Sequence, residues 1–216
     1  MSPRKSILPI AAIATALAGC ASEGDLVVDQ GVGITAVMTS CPAVGIPEYT
    51  GDVTLFRSEG ARTADNLDLV ASITNLRHTC DESSDRVYSN ATFDVLARRT
   101  DTRGARQVNL PYFSTVVRGG GAVQTKRIGT VTLNFADGQE RAQASAQAGA
   151  FVNKAEATLP PDIQERITRK RKAGDPDAAL DPLSDPQVRA AIQRTSFELL
   201  VGFQLTEQQL AYNVTR

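Results

Sequence analysis

The chain has 216 residues, of which 23 are Lys or Arg and 24 are Asp or Glu, giving a formal net charge of −1 at pH 7. This balance provides no general electrostatic reason to bind polyanions, so we expect no nucleic-acid partner. The length suits one domain, and the lack of Trp with only 5% aromatic residues predicts a core of small and aliphatic side chains.

The first 20 residues have the layout of a secretory signal. Arg4 and Lys5 form a basic start, an apolar run follows from Ile7 to Leu17, and small residues lead to Cys20. The apolar run is shorter than the roughly 20 residues that a helix needs to span a bilayer, which disfavours a permanent membrane span. We therefore expect this segment to direct export and then to be removed.

The stretch Leu17-Ala18-Gly19-Cys20 resembles the lipobox of bacterial lipoproteins, in which the cysteine is acylated and the preceding peptide is cleaved. The resemblance implies that residues 1–19 are a signal peptide and that Cys20 carries the lipid, with palmitate among its acyl chains. Residues 20–33 would then form a tether. Ala21-Ser22 after the cysteine implies the periplasmic side of the outer membrane, with the inner membrane as the alternative. An ordinary secreted protein is the other interpretation.

Cys41 and Cys80 are the remaining cysteines. In an oxidising compartment two cysteines most simply form one disulfide, and the pair lacks the C-x-x-C spacing of a redox or metal motif. The sequence therefore predicts a structural disulfide between Cys41 and Cys80.

From residue 66 onward, apolar and polar residues alternate, which predicts strands with one buried face. An earlier strand is expected at Asp52–Phe56 or Ile34–Thr39, for a total of about seven. The alternating segments are 66–76, 87–99, 106–118, 123–135, 139–153 and 196–205.

In residues 139–153 the strict alternation of alanine outweighs its helix propensity. Asp137-Gly138, just before that segment, predicts a hairpin turn of type I′. Antiparallel strands at this spacing predict an all-β fold over residues 34–216. Its architecture would be an immunoglobulin-like or fibronectin-III-like antiparallel β-sandwich.

Residues 160–195 have a helical period instead. Pro161 suits a helix start, Ile163 and Ile167 lie one turn apart, and Gly174 suits a stop. A second helix is predicted after Asp185 as N-cap, with Val188, Ala191 and Ile192 on one face. These features predict a short helical insertion before the last strand.

The chain end contains a predicted capping box, with Thr206 as N-cap and Gln209 at the third helical position. The short helix that it begins should fold Leu210 and Tyr212 back onto the sandwich.

Five cations are concentrated in the predicted insertion: Arg166, Arg169, Lys170, Arg171 and Lys172. One interpretation is a solvated helix whose carboxyl end is stabilised by positive charge. The other is a candidate patch for an anionic envelope component, such as lipid head groups or cell-wall polymer, or for another envelope protein.

The sequence assembles no catalytic or metal site. His78 is the only histidine, whereas triads need a base near the nucleophile and zinc sites need several His or Cys ligands. The aspartates between residues 175 and 185 depart from the calcium-loop pattern and suit turns and caps instead. Gly119–Gly121 lacks the context of a phosphate cradle and predicts a turn. We expect no enzyme activity, cofactor or bound metal.

The segments LLVGFQLTEQQLAYN (199–213) and LPYFSTV (110–116), with Cys41-Pro42, Cys80 and the lipobox, resemble a family of uncharacterised bacterial outer-envelope lipoproteins. The family brings no activity, cofactor or binding residue to these positions. We therefore expect a membrane-anchored envelope lipoprotein acting as a non-enzymatic structural or interaction module. A periplasmic lipoprotein that binds a small molecule or glycan is the alternative.

Overall fold

The computed structural model describes residues 36, 38–58, 60 and 62–216. The predicted signal peptide, the lipidation site at Cys20 and the tether lie outside the described residues. Of the alternative early strand at 34–39, residues 36, 38 and 39 are described and none of them is in a strand, whereas Asp52–Phe56 is a strand in the structure.

The described part of the chain contains eight strands and three α-helices. The strands are β1 (Ala43–Gly45), β2 (Asp52–Phe56), β3 (Leu67–Asp81), β4 (Arg86–Arg99), β5 (Arg106–Arg118), β6 (Ala122–Phe135), β7 (Arg141–Asn153) and β8 (Phe197–Phe203). The helices are α1 (Pro161–Thr168), α2 (Pro186–Thr195) and α3 (Glu207–Thr215), with short 3-10 turns at Ala64–Asn66 and Pro182–Ser184.

The strands form two four-stranded sheets, a first sheet of order β1-β8-β5-β6 and a second of order β2-β3-β4-β7. Neighbouring strands are antiparallel except β1 and β8, which are parallel. The mostly β architecture with two sheets is consistent with the predicted β-sandwich. Its strand order, with β2, β3 and β4 as consecutive neighbours, differs from the ABED and CFG grouping of immunoglobulin domains.

Burial follows the alternation that the sequence predicted. In β4 every second residue from Val87 to Ala97 is buried, and in β3 Leu69 and Ala71 are buried on the matching face. β7 is a strand despite its alanine content, because it pairs with β4 from Arg86↔Asn153 to Arg98↔Arg141, which satisfies the backbone groups on its β4 side along the whole strand. The inner faces of the two sheets pack together into one core, which combines Val, Leu, Ile and Ala side chains with four phenylalanines.

The predicted hairpin at Asp137-Gly138 is wrong. β6 pairs with β5 and β7 pairs with β4, so this turn carries the chain from the first sheet to the second. A type I′ turn needs positive φ at both central residues, but only Gly138 has it, at 76°. The Asp137 carboxylate instead accepts the Gly104 backbone N–H at 2.6 Å, which links this turn to the connection between β4 and β5.

Arg99, at the end of β4, holds both of these connections. Arg99 is 1% exposed, and its guanidinium lies 5.1 Å from the centroid of the Phe135 ring. Nε, Nη1 and Nη2 donate at 2.8–2.9 Å to the backbone carbonyls of Gln139, Gly104, Thr102 and Ala136. Four carbonyl dipoles therefore replace the hydration of a buried cation, and the cation ties the two crossings between the sheets together.

Cys41 and Cys80 form the predicted disulfide. Cys41 lies just before β1 of the first sheet, and Cys80 lies in β3 of the second, so the bond joins the two sheets. With a sequence separation of 39, the chain-entropy model gives a stabilisation of about 3–4 kcal/mol.

The β7–β8 connection, residues 154–196, contains α1 and α2. Ile163 and Ile167 are buried as predicted and pack with Leu159, Val188 and Ala191 in a small second core. α1 ends at Thr168, so the prediction of a helix reaching Gly174 is wrong. Continuing the helix would place Lys170 one turn from Arg166, and like charges at this spacing destabilise a helix.

The predicted turn at residues 119–121 and the predicted caps are confirmed. Gly119 and Gly120 have positive φ, at 62° and 77°, in the turn that joins β5 to β6. Asp185 caps α2 by accepting the Gln187 N–H, and Thr206 begins α3 with a complete capping box.

The carboxyl-terminal helix docks through different residues than expected. Tyr212 packs edge-on against Phe56, with ring centroids 5.3 Å apart, but Leu210 is 40% exposed and does not fold back. Asn213 is buried instead, and its Nδ2 donates to the carbonyls of Tyr49 and Asp52 at 2.7 and 2.8 Å. An amide that satisfies two backbone acceptors therefore anchors α3 beside β2.

Replacing Arg99 by Met should retain the apolar packing but leave four buried carbonyls without their donor. Since an orphaned buried acceptor costs about 1–3 kcal/mol, we expect the free energy of unfolding to fall by about 3 kcal/mol or more. Urea denaturation measures this loss. Arg98→Met, which removes an exposed pair with Glu140, is the matched control and should cost under about 1 kcal/mol. Equal losses in the two variants would contradict the role of Arg99.

Candidate functional site

The amino-terminal segment meets the folded domain at the carboxyl end of α1. The Ala36 N–H donates to the carbonyl of Ile167 at 3.0 Å. Met38 follows and lines an open cleft together with Leu159 and Pro161. The predicted tether would therefore arrive beside the basic residues of the β7–β8 connection.

The structure separates the five predicted patch residues into two groups. Arg166 pairs with Asp185 at 2.8 Å, and Arg169 pairs with Asp177. Arg171, which is 4% exposed, also pairs with Asp177, at 3.3 Å. Although burial opposes it, the hydrogen bond from Arg171 and the charge of Arg169 lower the pKa of Asp177. The two aspartates thus offset two of the three arginine charges in the connection.

Lys170 and Lys172 form the second group. Both are exposed, and neither side chain has an ion-pair partner among the described residues. The cationic surface that reaches solvent here is therefore these two lysines, beside the entry of the amino-terminal segment, together with the exposed edges of the paired arginines.

The aspartates of this connection are occupied by local structure. The carboxylates of Asp175, Asp181 and Asp185 accept the backbone N–H groups of Lys172, Leu183 and Gln187. These bonds are those of turns and helix caps, as the sequence suggested for them.

Among the described residues, one group brings three potential metal-ligating atoms together, and it consists of Cys41, Cys80 and Glu82. The two sulfurs are joined in the disulfide, so neither is the thiolate that a metal would need. The Glu82 carboxylate accepts hydrogen bonds from Thr39 and from the Cys41 N–H, and the Thr39 bond is the main cause of its lowered pKa. Glu82 therefore fastens the segment before β1.

His78 and Ser89 form a pair that sequence reasoning missed, because they meet only when β3 and β4 are in register. His78 Nε2 lies 2.9 Å from Ser89 Oγ. A Ser–His pair of this kind is a feature of nucleophilic sites. Ser89 is 0% exposed, however, so its hydroxyl cannot reach a substrate, and the bond positions the imidazole ring instead.

A cleft of about 400 Å³ lies between β2 and α3, and we call it the α3 cleft. Its lining includes Phe56, Arg62, Gln208, Gln209 and Tyr212. The Arg62 guanidinium lies 5.6 Å from the Tyr212 ring centroid and donates to the Gln208 carbonyl at 3.1 Å. The cleft thus combines aromatic surface with amide, hydroxyl and guanidinium groups.

Asp68, in the wall of the α3 cleft, forms a bidentate salt bridge with Arg106. The two Nη atoms of Arg106 donate to the two carboxylate oxygens at 2.6 and 2.7 Å. This hydrogen bonding is the main cause of the lowered pKa of Asp68, and burial opposes it. The carboxylate is therefore held in its charged form as a fixed part of the wall.

Because its folded pKa is lowered, Asp68 should stabilise the protein above the unfolded pKa of about 3.9 and lose that contribution as the pH falls through the folded value. Asp68→Asn should cost about 1–2 kcal/mol at pH 6, with the gap to the parent protein closing below about pH 4. Urea denaturation between pH 2.5 and 7 measures the gap. Arg106→Gln should show the same pH dependence, and a gap that is constant with pH would contradict this pairing.

Comparison with known proteins gives no match, since no family model, no curated protein and no solved structure matches the chain. The resemblance to envelope lipoproteins therefore stays a prediction. Within the described residues, no helix has both the length and the apolar character needed to cross a membrane.

Proposed function

We propose that the protein is a lipid-anchored envelope lipoprotein, held by Cys20 at the periplasmic side of the outer membrane. In this proposal its β-sandwich is a non-enzymatic structural or interaction module. The observation that carries the proposal is the stretch Leu17-Ala18-Gly19-Cys20 after a basic start and an apolar run. The hydrogen bond of Ala36 to Ile167 indicates where an anchored chain would enter the domain. Fully extended, the residues from Cys20 to Ala36 reach at most about 55 Å.

The charge distribution supports the proposed anchoring. Lys170 and Lys172 are exposed beside this entry point, and a cation near an anionic membrane surface contributes about 1 kcal/mol. An anchor at Cys20 would keep these lysines within reach of lipid head groups or cell-wall polymer. Arg166, Arg169 and Arg171 would contribute less, because Asp185 and Asp177 offset two of their three charges.

The packing of the sandwich supports the module proposal. The inner faces of both sheets are filled by their own apolar side chains, and the clefts of the described part of the chain open to solvent. Surfaces of this kind bind partners without a reactive group. We include in the proposal that the architecture is immunoglobulin-like or fibronectin-III-like with its own strand order, and that residues 160–195 are an insertion.

Replacing Cys20 by Ala should abolish labelling by an alkyne fatty acid and move the protein from the membrane fraction to the soluble periplasmic fraction. The acyl chains would be the main source of membrane affinity, at about 0.8 kcal/mol for each buried methylene. The double variant Cys41→Ala/Cys80→Ala is the control and should keep the label. Labelling that persists without Cys20, or that is missing from the parent protein, would refute the anchoring.

The α3 cleft favours a second candidate function, the binding of a small molecule or glycan. Its volume of about 400 Å³ lies within the range of ligand sites, and the Tyr212 ring beside Arg62 and Gln208 suits a sugar. We expect soluble cell-wall glycan fragments to bind in calorimetry, and Arg62→Gln with Gln208→Ala to weaken binding about tenfold. Val214→Ala, on an exposed part of α3, should leave the affinity unchanged. No binding by the parent protein would remove this candidate.

A further inference from the structure

One side of the sandwich is open. β6 and β7 are edge strands of the two sheets, and residues Ala122–Ile128 of β6 are exposed on both faces. At one point Tyr112 bridges the opening, because its hydroxyl donates to the Gln147 carbonyl of β7 at 2.8 Å. Burial raises the pKa of Tyr112. Gly129 permits the crossing, since a Cβ there would lie 2.4 Å from the tyrosine ring.

Near this bridge lies a cleft of about 120 Å³, the inter-sheet cleft. The second sheet contributes Arg86, Gly149 and Phe151, and the first sheet contributes Ser114, Thr125 and Arg127. The volume has room for several water molecules and therefore for a carboxylate or phosphate group. Two arginines that are distant in sequence thus face one small space.

Neither arginine is neutralised by the protein. The side chains of Arg86 and Arg127 have no ion-pair or hydrogen-bond partner within the described ranges. By contrast, Arg118 at the neighbouring end of β5 is paired with Glu156 at 2.9 Å. The charge at this cleft is therefore available to a ligand.

Arg86 is also held in place. Its Cζ lies 4.6 Å from the Phe151 ring centroid, and Phe151 in turn packs on Tyr88 with centroids 4.7 Å apart. A guanidinium stacked on an aromatic ring keeps its N–H edge free for a carboxylate or phosphate. Phe151 is 54% exposed, which is unusual for phenylalanine and is explained if it positions Arg86.

The backbone of β7 adds donors to the cleft. Arg99 N–H bonds to the Glu140 carbonyl, and Lys154 N–H bonds to the Asp85 carbonyl. These two bonds show which backbone groups of β7 pair with β4. The N–H and C=O groups of even-numbered β7 residues point toward β4, and those of odd-numbered residues point away from it. Gly149 and Phe151 therefore direct both their N–H and their C=O groups to the open side, and the N–H groups are the donors available to an anion.

We propose that the inter-sheet cleft is an oxyanion-binding site for a carboxylate or phosphate group. Arg86 and Arg127 supply the charge, and the N–H groups of Gly149 and Phe151 supply further donors. The rest of the ligand would remain outside, because the cleft is open to solvent. This site goes beyond the proposed function by giving the sandwich a ligand chemistry, and it does not depend on the anchor at Cys20.

The test is calorimetric titration of the purified full chain with inorganic phosphate and, separately, with succinate, at a constant chloride concentration. We expect saturable binding of at least one anion. If only phosphate binds, the natural ligand carries a phosphate group. If only succinate binds, the ligand carries a carboxylate, such as that of an acidic peptide. If both bind, the site accepts either group. The absence of saturable binding by both anions would overturn the proposal.

Variants locate the binding. Arg86→Gln/Arg127→Gln should weaken it about tenfold or more, and Phe151→Leu should weaken it less, because Arg86 remains but loses its support. Arg103→Gln, which removes an exposed arginine of the β4–β5 connection that is paired with Asp101, is the control away from the cleft. All of these side chains are exposed. The variants should therefore fold, with melting temperatures in the absence of anion close to that of the parent protein. Equal affinities in the double variant and the control would also overturn the proposal.

Discussion

The arrangement of the two sheets depends on one buried cation. Arg99 has no carboxylate partner among its hydrogen-bond acceptors and donates to four carbonyls of the two connections that cross between the sheets. A buried charge is costly unless polar groups replace its hydration, and here backbone dipoles do so. The two crossings join β4 to β5 and β6 to β7, and β6 and β7 are edge strands of the two sheets. The open side, with its cleft, lies between these two edge strands.

Local patterns made much of the fold predictable. Alternation along β3, β4 and β7 identifies strands because successive side chains of a strand point to opposite faces, one buried and one exposed. The capping box of α3 is likewise a local signal, contained in four residues. The disulfide was predictable because, of the three cysteines, Cys20 is expected to carry the lipid and the other two allow one pairing. Strand partners were not, since Asp137-Gly138 has the composition of a hairpin but joins strands whose pairing is decided elsewhere. Nothing local distinguishes the buried Arg99 from the exposed Arg98.

The distribution of charge illustrates the same limit. The sequence draws attention to the cations between residues 166 and 172, yet Asp177 and Asp185 offset two of the three arginine charges there. The sequence gives no sign that Arg86 and Arg127 lie close together, because 40 residues separate them and they belong to strands of different sheets. Their convergence needs the sheet order, which sequence periodicity does not contain. Which cationic side chains remain without an ion pair therefore depends on the fold as much as on the composition.

The central claim is that the sandwich offers its free arginines to a ligand at the open side while Arg99 remains part of the frame. NMR of the arginine Nε–Hε groups during titration with phosphate or succinate tests it most directly. We expect saturable shifts of the Arg86 and Arg127 signals, with the Arg99 signal unchanged and slow to exchange with water. Shifts spread evenly over the exposed arginines, or a mobile and rapidly exchanging Arg99, would contradict the claim.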